Sequence, residues 1–86
     1  MKELERQYKA LANRRRLHIV QYLKSHPKAS VGEIASAIKL SLKATSKHLG
    51  ILSSIDVLEK EQQGLNVFYS LSKTQRPVVK HALALL

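Results

Sequence analysis

Two short helical segments that lie close together in the chain most limit what it can fold into. Ser30 precedes the segment "VGEIASAI", and Glu33 follows at the spacing of a capping box, in which each side chain bonds the other residue's backbone. Ser41 can cap a second helix, which is predicted over residues 42–54. Two helices separated by a turn of about three or four residues are typical of a helix-turn-helix motif.

The residue pattern changes after this pair of helices. The segments "VLEKEQQ" and "NVFYSLS" alternate apolar and polar residues, which predicts two β-strands. The candidate inward positions are Val57, Val67, Tyr69 and Leu71. Gly64 lies between the segments and can adopt the positive φ that a tight hairpin turn requires. The sequence therefore predicts a β-hairpin, or wing, after the helix-turn-helix.

Helices are also predicted on both sides of this unit. "KELERQYKALA" carries apolar residues at helical spacing, and Asn13 can cap the helix that follows, "RRRLHIVQYLKSH". A last helix, "TQRPVVKHALALL", has Pro77 in its first turn, where the missing N–H costs little. The predicted fold class is mostly α with a small β-hairpin, in the order α-α-α-α-β-β-α. At this length, residues 1–86 are expected to form one winged helix-turn-helix domain.

The charge of the chain indicates the class of partner. Fifteen Lys and Arg against six Asp and Glu give a net charge of +9, and no acidic residue occurs between Glu33 and Asp56. The positive electrostatic field of such a chain favours a polyanion as its partner, and nucleic acid is the commonest polyanion inside a cell. The alternative is a chain that is merely soluble and basic. Aromatic residues are few and do not interleave with the basic ones, which argues against a stacking platform for single strands. Double-stranded DNA is the predicted partner.

The helix predicted over residues 42–54 has two unlike faces. On a helical wheel, Thr45, Leu49 and Leu52 cluster on the inward side. The opposite face carries two lysines but no acid, whereas a solvated helix face normally mixes charges of both signs. The predicted DNA-binding residues of this segment are Ser41, Lys43, Ser46, Lys47, His48 and Gly50. A basic but idle surface is the alternative.

The chemistry of each residue suits a particular task on DNA. Lys43 and Lys47 can reach phosphates or guanine acceptors, and Ser46 can bond a base edge or a phosphate. Gly50 has no side chain and so permits close approach. The free N–H groups after the serine cap form a phosphate site at the helix start. For His48, a hydrogen bond within the domain and a phosphate contact are both open.

The hairpin and an arginine cluster are weaker candidates. The predicted wing contacts are Lys60, Gln63 and Asn66, along the flanking backbone or the minor groove. A solvated hairpin tip is the alternative for them. Residues 14–16 are three consecutive arginines at a predicted helix start, where their charge opposes the helix dipole. A phosphate or a partner's carboxylate would offset that charge, which makes the cluster a further DNA-contact candidate.

Three segments occur in order over nearly the whole chain: "LANRRRLHIVQYL", "SVGEIASAIKLSLKATSKHLGIL" and "VLEKEQQGLNVFYSL". They resemble the opening segment, the helix-turn-helix core and the wing of the ArsR/SmtB family of winged helix-turn-helix repressors. The second segment carries Ser46, Lys47, His48 and Leu49 where the family has "SRHL". The resemblance implies a homodimeric transcriptional repressor, paired through its first and last helices, that binds a palindromic operator.

The last helix favours a dimer independently of this resemblance. It carries more apolar residues than one stripe can bury on its own domain, and the remainder would be exposed in a monomer. A two-fold dimer would cover the remainder and place two DNA-reading helices about one DNA turn apart. The predicted interface residues are Leu4, Tyr8, Val79, Leu83 and Leu86. A frayed apolar tail on a monomer is the alternative.

Several function classes lack the residues that they need. Cysteine is absent and no histidine has a second histidine four residues away, so neither a metal nor another cofactor is expected. No catalytic carboxylate pair, Ser–His–acid arrangement or glycine-rich phosphate loop indicates an enzyme. No apolar run approaches the roughly 20 residues of a membrane span, so we expect a cytoplasmic protein. Binding of DNA would associate it with the nucleoid, and so compact a chain would suit a prokaryotic, viral or plasmid origin. The rival functions are a winged-helix protein-interaction module and an architectural DNA-binding module without a specific operator.

Overall fold

Five helices and three short strands form the fold in the computed structural model, which describes residues 1–86. The helices are α1 (Lys2–Leu11), α2 (Arg14–Ser25), α3 (Val31–Ile38), α4 (Leu42–Ser54) and α5 (Pro77–Leu85), and the strands are β1 (Ala29–Ser30), β2 (Leu58–Gln63) and β3 (Asn66–Leu71). The predicted helices and hairpin are confirmed in their order. None of the helices combines the length and the apolar character that crossing a membrane requires.

The helix starts follow the predicted caps. The Asn13 side chain accepts the backbone N–H three residues on, with 3.1 Å between nitrogen and oxygen. Ser30 and Glu33 form the complete capping box of α3, with distances of 3.2 and 2.8 Å. The Ser41 hydroxyl accepts an N–H of the first turn of α4 at 3.1 Å. Each bond satisfies a backbone donor that a helix start leaves free, and α3 and α4 therefore begin at the predicted positions.

The three strands form one antiparallel sheet in the order β1-β3-β2. Strand β1 is not predicted from the sequence, because two residues are too few to show an alternating pattern. Strands β2 and β3 pair up to Gln63 and Asn66, which leaves a loop of two residues at the tip. Gly64 takes the predicted positive φ of +62°, and Leu65 does not. A positive φ at the first of two loop residues is typical of a type II′ hairpin turn.

The core collects one stripe from each helix and the base of the sheet. Its fully buried side chains come from α2 to α5 and from the segment before β2: Ile19, Val20, Ile34, Leu49, Leu52, Val57 and Val79. Tyr69 and Leu71 are half-buried against this core, as the alternation in β3 predicts. Val67 is half-buried nearer the hairpin tip. The hairpin thus rests on the core at its base and extends away from it at its tip.

Helix α5 packs on its own domain more extensively than its composition indicates. Val79 has no exposed surface, because the stripe of α5 that faces the domain includes it. The prediction that Val79 lies in a dimer interface is therefore wrong. Leu83 and Leu86 are half-buried against the same core. By contrast, Leu4, Tyr8 and Leu85 are 44%, 57% and 75% exposed.

Candidate nucleic-acid interface

Helix α4 presents one buried and one basic face, as predicted. Thr45, Leu49 and Leu52 are fully buried. The exposed residues on the other side define the basic face: Lys43, Ser46, Lys47, Gly50 and Ser54. Neither lysine of this face forms a salt bridge within the chain. Two unpaired cations on a helix that follows a tight turn are an arrangement that can bind phosphates.

The start of α4 adds backbone donors to this face. The serine cap satisfies one N–H of the first turn, and the N–H groups of Leu42 and Lys43 have no acceptor within the chain. These groups lie at the positive end of the helix dipole, where anions are favoured. The side chain of Lys43 projects from the same turn. The sequence-predicted phosphate site at the start of α4 is therefore geometrically available.

Gly50 lies on the basic face in open space. A β-carbon placed on it would meet no atom of the chain within 4 Å. Packing within the domain thus does not require a glycine here, although glycine in a helix interior costs about 1 kcal/mol relative to alanine. Close approach of the helix to a ligand surface would account for this residue.

Replacing Gly50 with alanine separates stability from binding. Gly50→Ala is expected to raise the free energy of unfolding by about 1 kcal/mol and the melting temperature by about 4–8 °C. We expect affinity for DNA to fall at the same time, because the added methyl group stands between the helix and the duplex. Thermal unfolding and fluorescence-anisotropy titrations measure the two effects. Unchanged or improved affinity in the stabilised variant would contradict the proposed close approach.

His48 is held within the domain. Its half-buried ring lies beside Arg16, with 3.2 Å between Nδ1 and a guanidinium nitrogen. Arginine only donates hydrogen bonds, so this contact requires Nδ1 to accept and the proton of the neutral ring to lie on Nε2. Burial, and then the charges of Arg16, Lys47 and Arg15, lower the pKa of His48 from its ordinary value. The geometry supports the intradomain alternative at Nδ1, and a DNA contact through Nε2–H stays a prediction.

The arginine cluster has structural partners that sequence patterns do not reveal. Arg16 donates to the backbone oxygens of Lys9 and Ala10, which are orphan acceptors at the end of α1. Arg15 donates to the backbone oxygen of Ile38, at the end of α3, at 3.0 Å. The negative ends of the α1 and α3 dipoles thus offset the positive charge of Arg15 and Arg16 at the start of α2. Arg14 is exposed and remains available to a phosphate.

The predicted wing contacts are exposed at the hairpin. Gln63 and Asn66 form the last pair before the turn, and Lys60 lies further down β2. Gln63 donates to Glu61 at 2.8 Å, and Lys28 lies 3.4 Å from the same carboxylate. The hydrogen bond from Gln63, and then the bond and charge of Lys28, lower the pKa of the Glu61 carboxyl. An ionised acid near the tip makes the wing a weaker site for phosphates than α4.

A second surface lies on the side formed by α1 and α5. Apolar residues of both helices, and Ala12 directly after α1, line a groove of about 280 Å³, here called the α1–α5 groove: Tyr8, Leu11, Ala12, Val78, Ala82 and Leu85, with His81 beside them. Leu85 belongs to this surface and was not among the predicted interface residues. Leu4 is also exposed on α1. No three His, Asp or Glu side chains anywhere in the chain are grouped closely enough to hold a metal ion.

Comparison with known proteins places these features in a family. A family model described as a helix-turn-helix domain matches residues 11–61. The transcriptional activator HlyU of Vibrio cholerae serotype O1 is 40% identical over 67 residues, which cover 78% of this chain and 61% of HlyU. The matched region is thus less than two thirds of that relative's length.

Solved structures cover the chain almost completely. Reduced HlyU from Vibrio cholerae superposes with a TM-score of 0.82 at 35% identity, over 99% of this chain and 85% of that one. The homodimeric winged helix-turn-helix DNA-binding domain Mb0332 of Mycobacterium bovis, a possible ArsR-family regulator, gives 0.81 at 31% identity, over 98% and 74%. The transcriptional repressor PagR of Bacillus anthracis gives 0.79 at 30% identity, over 98% and 92%.

Proposed function

Because the chain belongs to the ArsR/SmtB family of winged helix-turn-helix transcriptional regulators, we propose that it binds a specific double-stranded DNA operator as a homodimer. The observation that carries this proposal is the basic face of α4, whose two lysines have no acidic partner in the chain. In this proposal α4 is the recognition helix and enters the major groove.

Some of the proposed contacts position the helix on the DNA, and others read its base sequence. Lys43, Lys47 and the N–H groups after Ser41 hold phosphates and set the register of the helix. Ser46 contacts a base edge, and Gly50 lets the helix backbone approach the groove. Wing residues Lys60, Gln63 and Asn66 lie along the neighbouring DNA backbone. On α4, His48 can contribute only its Nε2–H. The main affinity then comes from α4, and the wing contributes less because an acid lies beside its tip.

The proposed dimer interface is the α1–α5 groove. Tyr8 and Leu85 leave large apolar surfaces in water, and Leu4 extends the patch along α1. Leu83 and Leu86 are half-buried in their own domain and contribute what remains exposed of them. A two-fold axis through this surface brings the same residues of two copies together. It also sets the two recognition helices at a fixed separation, which an inverted-repeat operator would match.

Repression is the proposed sign of regulation, because a dimer seated on an operator that overlaps a promoter excludes polymerase from that DNA. The relatives include a protein named as an activator and one named as a repressor. Neither catalysis nor a metal or cofactor is part of the proposal. The proposed location of the protein is the nucleoid of a prokaryotic cell, since relatives come from Vibrio, Mycobacterium and Bacillus.

Selection of bound sequences from a random DNA pool tests this function. The pool is bound at about 0.15 M salt, where non-specific phosphate contacts are weakened. We expect an enriched inverted repeat with half-sites about one helical turn apart. Retention of DNA without an enriched sequence would identify an architectural protein instead. No retention at all would reassign the basic face to a different acidic partner. A promoter–reporter fusion carrying the selected repeat then measures the sign of regulation.

A further inference from the structure

One arginine joins the end of α1 to the middle of the recognition helix. The guanidinium of Arg16 bonds the backbone oxygens of Lys9 and Ala10 and, at 3.2 Å, Nδ1 of His48. Arg16 and His48 are both half-buried. The arginine lies at the start of α2, so three helices meet at this one side chain.

The hydrogen bond from Arg16 fixes the tautomer and the orientation of the His48 ring. A guanidinium is a rigid, planar fork of donors, and its position is set here by two carbonyls at a helix end. A further N–H, on Nη1, faces Nδ1 of His48, and Nδ1 can accept from it only when unprotonated. Burial and then the neighbouring cations lower the pKa of His48 and so favour the neutral ring that this bond needs. The ring is thereby held in one orientation and one tautomer.

The two ends of this contact lie on helices that carry different functional surfaces. Helix α1 carries Tyr8, which belongs to the α1–α5 groove. Helix α4 carries Lys47, directly beside His48, on the basic face. The contact therefore links the proposed dimer surface to the proposed DNA surface through a few directly bonded groups.

We propose that Arg16 is a positioning residue that sets the recognition helix relative to α1 through the Nδ1 atom of His48. The inference rests on the proposed function. Arg16 itself contacts no DNA. Since α1 meets the partner copy in the dimer, the contact fixes how the two recognition helices face an operator, and its loss lowers preference for the operator over random DNA.

Two substitutions of His48 test this role. In His48→Asn the side-chain oxygen takes the place of Nδ1 and can accept from Arg16. In His48→Gln the amide reaches the place of Nε2 and leaves Arg16 without that acceptor. Affinities for the selected operator and for random DNA of equal length are measured for both, and thermal unfolding establishes that both variants are folded.

The expected result is a difference between the two variants. The ratio of operator to random affinity is expected to fall about tenfold or more further in His48→Gln than in His48→Asn, because only His48→Gln loses the bond to the charged donor. The reverse order would overturn the proposal and identify His48 as a direct DNA contact through Nε2. Equal retention, or equal loss, in both variants would also overturn it.

Replacing the arginine separates positioning from phosphate binding. Arg16→Lys keeps the charge, but one ammonium cannot reproduce the fork, so we expect the operator preference to fall while the salt dependence of binding stays unchanged. A flatter salt dependence in Arg16→Met would show a phosphate contact and overturn the positioning role.

The tautomer of His48 can be measured without DNA. Ring nitrogen chemical shifts of the unsubstituted protein should show the proton on Nε2, and Arg16→Met should yield a mixture of tautomers. A proton on Nδ1 in the unsubstituted protein would overturn the inference whatever the DNA measurements show. Failure of the proposed function is distinguishable, because it appears as the absence of any selected operator for the unsubstituted protein.

Discussion

A Leu85→Glu variant is expected to be monomeric and to bind the operator about 100-fold more weakly or worse. Leu85 is 75% exposed and lines the α1–α5 groove, so the substitution leaves the domain core intact. In the proposed dimer it would place two carboxylates in an apolar contact, where burial of an unpaired charge is costly. Each monomer would then bind one half-site alone, without the gain of roughly 10²–10⁴ that linked binding provides.

Light scattering gives the mass of the Leu85→Glu variant, and an operator titration gives its affinity. Ala84→Glu serves as the matched control, because Ala84 is exposed on the same helix but outside the groove. The control should remain dimeric. Leu83 is less suited to this test, since it packs on its own domain and its loss would disturb the fold. A dimeric Leu85→Glu protein would place the interface elsewhere on the surface.

The second large effect is expected from removing both lysines of the basic face. Lys43→Ala combined with Lys47→Ala should weaken operator binding about 100-fold and should also flatten its salt dependence. A dimer would lose four phosphate contacts, and each contributes about 0.9 to the slope of log affinity against log salt. Both residues are exposed and unpaired, so we expect the unfolding temperature to stay close to that of the unsubstituted protein.

A charge-matched control separates specific contacts from general attraction. Lys73→Ala combined with Lys80→Ala removes the same charge from exposed positions outside α4 and the hairpin. Titrations at several salt concentrations compare the two double variants. The control should lose little affinity and keep most of the salt slope. Equal losses in both would mean that net charge, and not the face of α4, determines binding.

Local signals in the sequence predict much of this fold. The caps at Asn13, Ser30 and Ser41 each depend on residues within three positions, and the structure has all of them. The two faces of α4 follow from helical geometry alone. The hairpin turn follows from Gly64, the one residue of the tip that takes a positive φ. These features need no knowledge of how distant segments pack.

The features that escape prediction are all contacts between distant segments. Strand β1 exists because β3 pairs with it from about 40 residues further along the chain. Val79 is buried because its side of α5 faces the domain, and composition alone does not reveal which side that is. The role of Arg16 depends on His48, 32 residues away. Sequence patterns name the candidate residues here, but tertiary packing decides between their alternatives.

Strand β1 ends at Ser30, the residue that caps α3, and it is hydrogen-bonded to β3 of the hairpin. The wing is therefore joined through the middle of β3 to the start of the first helix of the helix-turn-helix, and the two cannot move apart freely. On a duplex bound as proposed, the distance between the recognition helix and the wing is fixed by the protein. The duplex must then supply the matching groove width and curvature. Base pairs that no side chain touches would influence affinity through how easily the DNA deforms.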